Sequence, residues 1–467
     1  MRSVSDTTAP SRLVPALIYA ALSTSIVSSL GMLLVPAISR EMDVSVSTAQ
    51  WMLTVNLLFG AISTPIMGRL SDGPHKRLLL LLSLGVILVG SVVAALAPNF
   101  TVFLIGRALQ GLSYGIVPVT IALARRYVSA DKAQASISSL SVTVATGLGI
   151  GYPLTGVIAG MTDFRIAFWF AVLFVVSAIV VVYVAVPAGP DEQAPRLPFD
   201  FYGATLLSLG LGGLLLSVSE APTWGWASPW TMGSFALAAL FLVLWVRTGL
   251  QLRDPLINLR VFRHGDVLLA NATAAGLGAA LYIGLSISSL VAQAPLSTGY
   301  GMALPVFWAG FVMLPLSVGS FAANRLVRRL SRRIRLTTLL PIGAGIVTGA
   351  GMLLWFAHDE LWEILVGMVT FGVGMGASYA AMPALIARSV ARAELGSSVS
   401  FNQVLRSVGA SFGTAVSGAV LAANMAPDLH ATGDGIRATF AIGALICMAV
   451  FVSLLVHAFA SRRRPTG

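Results

Sequence analysis

The chain has 467 residues, 57% of them apolar and 10% charged, against about a quarter charged in a globular domain. Lipid must therefore solvate much of its surface, which excludes an ordinary soluble fold. One cysteine, Cys447, excludes an intrachain disulfide and a cysteine-built metal site, and the net charge of +11, which in a soluble protein would point to nucleic acid, has to be read by position.

A membrane-crossing helix needs roughly 20 mostly apolar residues. Apolar segments of that kind run near 14–38, 48–71, 78–97, 101–124, 135–160 and 166–187. Two more follow at 202–219 and 231–249, then six at 267–293, 303–324, 336–357, 361–387, 398–424 and 436–460. They are too long and too uniformly apolar for the alternating strands of a membrane barrel, so helices are expected. The first could pass for a signal peptide, but Arg40 and Glu41 follow it rather than a small-residue cleavage site.

Fourteen spans put both termini on one side. That side then receives nearly all the cations. Only Arg40, Arg165 and Arg437 fall on the other, and Arg107 and Arg406 lie within spans. By the positive-inside rule both termini are expected to be cytoplasmic. The basic excess is thus topology and attraction to anionic lipid, not a nucleic-acid surface.

Connections are short except at PAGPDEQAPRLPFD (187–200), polar and proline-rich, and QLRDPLINLRVFRHG (251–265), basic and partly amphipathic. The expected fold is an all-α polytopic membrane protein. It comprises a six-helix bundle over 1–187, a linker and two-helix insert over 188–265, and a second six-helix bundle with a tail over 266–467. The basic loop GRLSDGPHKR (68–77) has a counterpart in ANRLVRRLSRRIR (323–335), which reads either as an internally duplicated transporter or as two ordinary basic cytoplasmic loops.

These features resemble the major facilitator superfamily and, within it, the fourteen-span drug:proton antiporter group. GRLSDGPHKR is similar to the loop between spans two and three, with Gly68, Asp72, Lys76 and Arg77 matching and His75 in place of the usual glycine. FLIGRALQGLSYG (103–115) resembles the fourth-span signature at Arg107, Gln110 and Gly111. GLGIGYPLTG (147–156) is similar to the antiporter signature, except that Tyr152 separates Gly151 from Pro153. SEAPTWGWASP (219–229) and ELGSSVSFNQVLRSVGASFGTAV (394–416) resemble the insert's outer hairpin and the thirteenth span. The resemblance implies proton-driven export of a small molecule by alternating access.

Asp72, at the inner end of span two, reads either as a solvated loop charge or as a latch. As a latch it would accept charge-assisted hydrogen bonds across the interface between halves. Lys76 and Arg77 read equally as topology markers or as parts of that switch loop. Arg107 lies nearly two turns inside span four, where an unpaired cation is costly. With Gln110 one turn on, it is expected to face a central cavity; a snorkelling side chain is the alternative. Arg406, with Asn402 and Gln403, is the matching set in the second half. In span five, Gly147, Gly151, Pro153 and Gly156 read equally as a gating helix of close approach and bending or as the glycine and proline common in any membrane helix.

No Asp or Glu lies deep in the twelve core spans, so the candidate proton sites are Asp72 and Glu220. Glu41, Asp43 and Glu363 sit at outer span ends, and His457 lies late in the last span. The uncharged first helix, ALSTSIVSSLGMLLVPAI with Pro36, departs from the antiporter pattern and is compatible with neutral or anionic substrates met by Arg107 and Arg406.

The reading is a secondary transporter in the inner (plasma) membrane, exporting hydrophobic drugs or metabolites with proton coupling. It needs a small-molecule substrate, a proton gradient and a bilayer, takes no metal, cofactor or nucleic acid, and is expected to be a monomer. There is no GxxxxGK[ST] segment for ATP. An uptake carrier or facilitator of the same fold is the alternative. A polytopic membrane enzyme ranks below both, because the five histidines are scattered.

Overall fold

A computed structural model describes residues 12–44, 46–161, 163–192, 194, 198–260, 265–330, 336–391, 395–424 and 431–462. Parts of four stretches named above lie outside them: 193 and 195–197 of the first linker, 261–264 of the second, 331–335 of the second basic loop, and Glu394 of the thirteenth-span motif. Among the described residues every regular element is helical and there is no strand.

In chain order the α-helices are α1 (Leu13–Ser29), α2 (Val35–Glu41), α3 (Val46–Asp72), α4 (Lys76–Ala95), α5 (Phe100–Gly111), α6 (Ile116–Tyr127), α7 (Ala130–Met161) and α8 (Phe164–Ala185). The insert is α9 (Phe201–Trp224) and α10 (Pro229–Gln251). The remainder is α11 (Gly265–Gln293), α12 (Val306–Phe311), α13 (Leu314–Leu330), α14 (Leu336–Phe356), α15 (Leu361–Ser389), α16 (Leu395–Ala423) and α17 (Gly433–Arg462).

Among the described residues, 12 helices are long and apolar enough to cross a membrane, with α5–α6 and α12–α13 each counted as one. Two further segments read as spans in the sequence are α1 and α7. α1 stops at Ser29; a 3-10 turn, Met32–Leu34, follows, and α2 then starts with a proline in its first turn, where the missing N–H costs nothing. The first apolar run is thus a broken helix. α7 is a single helix of 32 residues that carries Pro153 inside it.

The termini of several helices are capped by their own sequence. Asn99 Oδ1 accepts from Val102 N at 3.0 Å to open α5, and Glu360 and Glu363 form a capping box on α15. Glu363, an acid at a span end, is committed there: its Oε2 accepts from the Asp359 and Glu360 amides at 3.0 Å.

Helices α1, α3–α6 and α8 pack mainly on one another, as do α11 and α13–α17, while α7 and α12 pack largely across the divide. The two groups meet along α3 against α16 and along α7 against α12, α13 and α15. α9 lies in the seam beside both α3 and α16, and α10 packs chiefly on α9. One carboxylate ties the ends of the insert together: Asp200 Oδ1 accepts from Gly203 N at 2.7 Å, and its Oδ2 from Leu256 N at 3.0 Å. Large apolar side chains such as Leu173, Val184 and Trp230 stand exposed on the outside, as a lipid-facing surface requires.

Candidate functional site

The break after α1 explains where Arg107 finds its partners. A helix end leaves its last carbonyls without intrahelical donors. Arg107 is wholly buried, and its Nη1 donates to the Val27 carbonyl near that end at 3.2 Å. Nε donates to the Met52 carbonyl of α3 at 3.3 Å, and Nη1 also to Gln110 Oε1 at 2.7 Å. Gln110 Nε2 donates on to Ser91 Oγ of α4 at 2.9 Å, while Asn56 Nδ2 donates to the Arg107 carbonyl at 3.1 Å. The guanidinium also lies 5.8 Å from the centre of the Phe168 ring on α8. One cation on α5 thus joins α1, α3 and α8, and through Gln110 the link extends to α4. A side chain at Gly31 would press on Arg107 Nη2, at 3.2 Å from a built Cβ, so glycine leaves the room.

The second buried arginine is placed differently. Arg406 stacks on the Tyr379 ring of α15 at 4.0 Å from its centre. Neither its Nε nor its Nη1 has a protein acceptor, and Gln403 Oε1 has no donor. Asn402 turns away toward α11, where its Nδ2 donates to the Ala270 carbonyl at 3.0 Å and to Asn271 Oδ1 at 3.1 Å. Arg406 and Gln403 instead line a cavity of about 30 Å³ between the two helix groups, walled by Ser28, Leu57 and Tyr114 on one side and by Tyr282, Tyr379 and Ser407 on the other. Arg107, Gln110 and Asn402 are not among its lining residues. Nor is Glu220, which sits half-buried late in α9.

The glycines of α7 do bring backbones together. Gly156 faces the Val306 and Phe307 carbonyls of α12, each 3.0 Å from where its Cβ would stand. Gly310 of α12 reciprocates, 3.3 Å from Pro153 Cα by the same measure. Lower in α7, Gly147 and Gly151 abut Ser25 and Ser29 of α1. The two helix groups are therefore sealed, backbone against backbone, around Gly156.

The basic loop GRLSDGPHKR joins α3 to α4 through Gly73, Pro74 and His75. His75 is exposed and has φ −97°, so the turn needs no glycine at that position. Gly73 N donates to the Leu70 carbonyl at 3.1 Å, and Asp72 is buried where α3 ends. Lys76 Nζ donates to the Gly73 carbonyl at 2.8 Å and to Asp191 Oδ2 at 2.9 Å. Arg126, at the end of α6, donates to Asp191 Oδ1 at 2.7 Å. The Asp191 amide returns to the Pro74 carbonyl at 2.8 Å. Burial acts to raise the Asp191 carboxyl, but Lys76 and Arg126 outweigh it and hold the group below its ordinary pKa. Arg77 Nη2 donates to the Tyr183 carbonyl at 2.7 Å, with its guanidinium 5.1 Å from the Tyr183 ring centre.

Asp191 was not singled out from the sequence. Its signal is an acid pair, Asp191 and Glu192, in a basic-side linker. The cavity tyrosines 114, 282 and 379 carried no such signal, being single aromatics inside apolar helices.

Two groups of apolar helices packed around a small cavity of mixed lining are the architecture of a polytopic membrane transporter rather than an enzyme. The chain belongs to the Major Facilitator Superfamily, whose family model matches residues 16–414. It is similar to the uncharacterized MFS-type transporter YcnB of Bacillus subtilis (strain 168), with 25% identity covering 92% of this chain and 91% of that protein. It is also similar to the multidrug resistance protein Stp of Mycobacterium tuberculosis (H37Rv), with 26% identity covering 85% and 73%. The crystal structure of the human organic anion transporter MFSD10 (TETRAN) shares the fold at a TM-score of 0.65 and 17% identity, over 95% of this chain and 99% of that one.

Proposed function

We propose that this protein is a secondary transporter that exports hydrophobic small molecules by alternating access. The observation that carries the reading is the sealed interface: a small cavity enclosed between two helix groups, with backbone-tight contact of Gly156 on α7 against α12. Rocking of the 1–187 and 266–467 bundles would open that cavity on one side and then the other. Relatives named for lincomycin resistance and multidrug resistance support the direction. Expression in a pump-deficient host, challenged with dyes, quaternary cations, antibiotics and lipophilic anions, tests it. Raised resistance with depletion of label is expected; accumulation of label would make the protein an uptake carrier instead. That second reading is favoured by one fact, that no Asp or Glu lines the cavity among the described residues.

The finer reading is a fourteen-helix chain of the drug:proton antiporter group, in the inner (plasma) membrane with both termini cytoplasmic. Counting the broken first helix and α7 with the twelve long apolar helices supports that number. Tags at both ends should be cleaved by protease in inverted vesicles and protected in right-side-out ones. Transport is driven by the proton gradient, with Asp72 and Glu220 as the candidate proton sites. In proteoliposomes, rates unchanged on collapsing the pH gradient would exclude the coupling.

A further inference from the structure

Arg406 is 8% exposed, yet two of its three guanidinium nitrogens meet no protein acceptor. Removing a cation from water costs several kcal/mol unless hydrogen bonds or an opposite charge return it. Arg107 offsets most of that cost through the Val27 and Met52 carbonyls and Gln110, with only its Nη2 left without an acceptor. Arg406 rests on the face of Tyr379, with its Nε and Nη1 unmatched. The side chains that face it from every packed element are neutral: Ser28 from α1, Leu57 from α3, Tyr114 from the turn after α5, and Tyr282 from α11. Its own helix adds Gln403 and Ser407. Among the described residues, the cavity contains one fixed charge, and it is positive.

We infer that this cavity is the binding site of a planar organic anion, whose carboxylate or sulfonate is held by Arg406 while its ring lies among the tyrosines. The inference rests on the transporter reading above and deepens it by naming a substrate class. The anion supplies the acceptors that the guanidinium lacks, and each charge relieves the burial cost of the other. Gln403 Oε1 adds an unused acceptor suited to a hydroxyl or amide beside the anionic group. Aromatic walls suit a flat apolar body. A quaternary cation would meet Arg406 at close range with no carboxylate to offset the repulsion. At about 30 Å³ the cavity is closed down, so binding requires the two helix groups to part first.

The experiment uses the full-length protein purified in detergent and a matched series on one ring: 1-naphthoate, 1-naphthamide and 1-naphthylmethylammonium. Naphthoate should raise the melting temperature saturably; the amide and the ammonium should not. Arg406→Gln should weaken naphthoate binding roughly ten- to hundredfold, the loss of a hydrogen bond to a charged group. Gln403→Glu tests the same idea in a variant that keeps the arginine. It places a carboxylate three residues from Arg406 on the same helix, close enough to pair with it. It should raise the melting temperature of the unliganded protein and abolish the naphthoate shift. Equal response to all three probes, or a naphthoate shift that survives Gln403→Glu, overturns the anion site. If cells then still export other members of the resistance panel, the transporter reading stands alone. If naphthoate binds through Arg406 while cells export nothing, exporter activity falls and the anion site remains.

Discussion

Asp191 lies 2.9 Å from Lys76, a contact that spans 115 residues of chain and joins the linker after α8 to the first residue of α4. Both side chains are at least nine-tenths buried. The loop that the family resemblance marks as a conformational switch is thereby clamped from outside itself, with Arg126 on the other carboxylate oxygen at 2.7 Å.

Asp191→Asn should destabilise the protein by an amount on the order of a few kcal/mol, because it leaves a buried ammonium without its counter-charge. The pH dependence has a definite sign. The folded carboxyl titrates below its ordinary value, so its stabilisation is complete above the unfolded pKa of about 3.9. It is lost as pH falls through the lower folded value. Thermal melts of both proteins across pH should show a constant gap at neutral pH that closes only in acid. A gap that is absent at pH 7 would show that the clamp contributes nothing.

Arg107 gives a second prediction, about architecture. Gln110→Ala removes an acceptor from Arg107 and a donor from Ser91 together, and should cost about 1–3 kcal/mol. Arg107→Lys keeps the charge but lacks the planar fork that reaches α1, α3 and Gln110 at once, so it should melt lower still. Both variants should lose stability before they lose substrate affinity. An Arg107→Lys protein with unchanged melting and raised KM would instead assign the residue to substrate.

Closure at Gly156 can be wedged open. Gly156→Val would drive side-chain carbons into the Val306 and Phe307 carbonyls, a backbone contact that cannot move aside as a flexible side chain would. Transport should fall sharply. In a Cys447→Ser background, a cysteine at Ser28 in the cavity should react faster with an impermeant maleimide applied to the side of the membrane where α7 meets α12. An unchanged labelling rate would mean that this contact does not gate the cavity.

Asp72→Asn should slow transport while leaving the protein in the membrane in normal amount, because the charge is buried at the end of α3 in the switch loop. Rates measured in vesicles, normalised to protein inserted, check this. Full activity in the variant would remove Asp72 from both the latch and the proton pathway.

Much of the architecture was legible because a membrane helix is a local property of sequence. Runs of about 20 apolar residues give helices wherever lipid is the solvent, and the helix bounds follow those runs closely from α3 to α17. The break in the first run also had a local signal, in Gly31 and Pro36. His75 showed the limit of motif reading. The glycine it replaces is dispensable because the backbone there keeps an ordinary negative φ.

The amino-acid sequence by itself determined that this chain is helical, lipid-solvated and burdened with two arginines inside apolar helices, since each of those facts depends on residues close together in the chain. What the arginines became was decided only by tertiary structure. Arg107 meets a carbonyl left open by the end of α1, a carbonyl of α3 and a glutamine one turn along, while Arg406 meets a tyrosine face and a cavity. The same side chain has two fates because the cost of burying a charge is local, but the groups that offset it are contributed by whichever helices fold beside it.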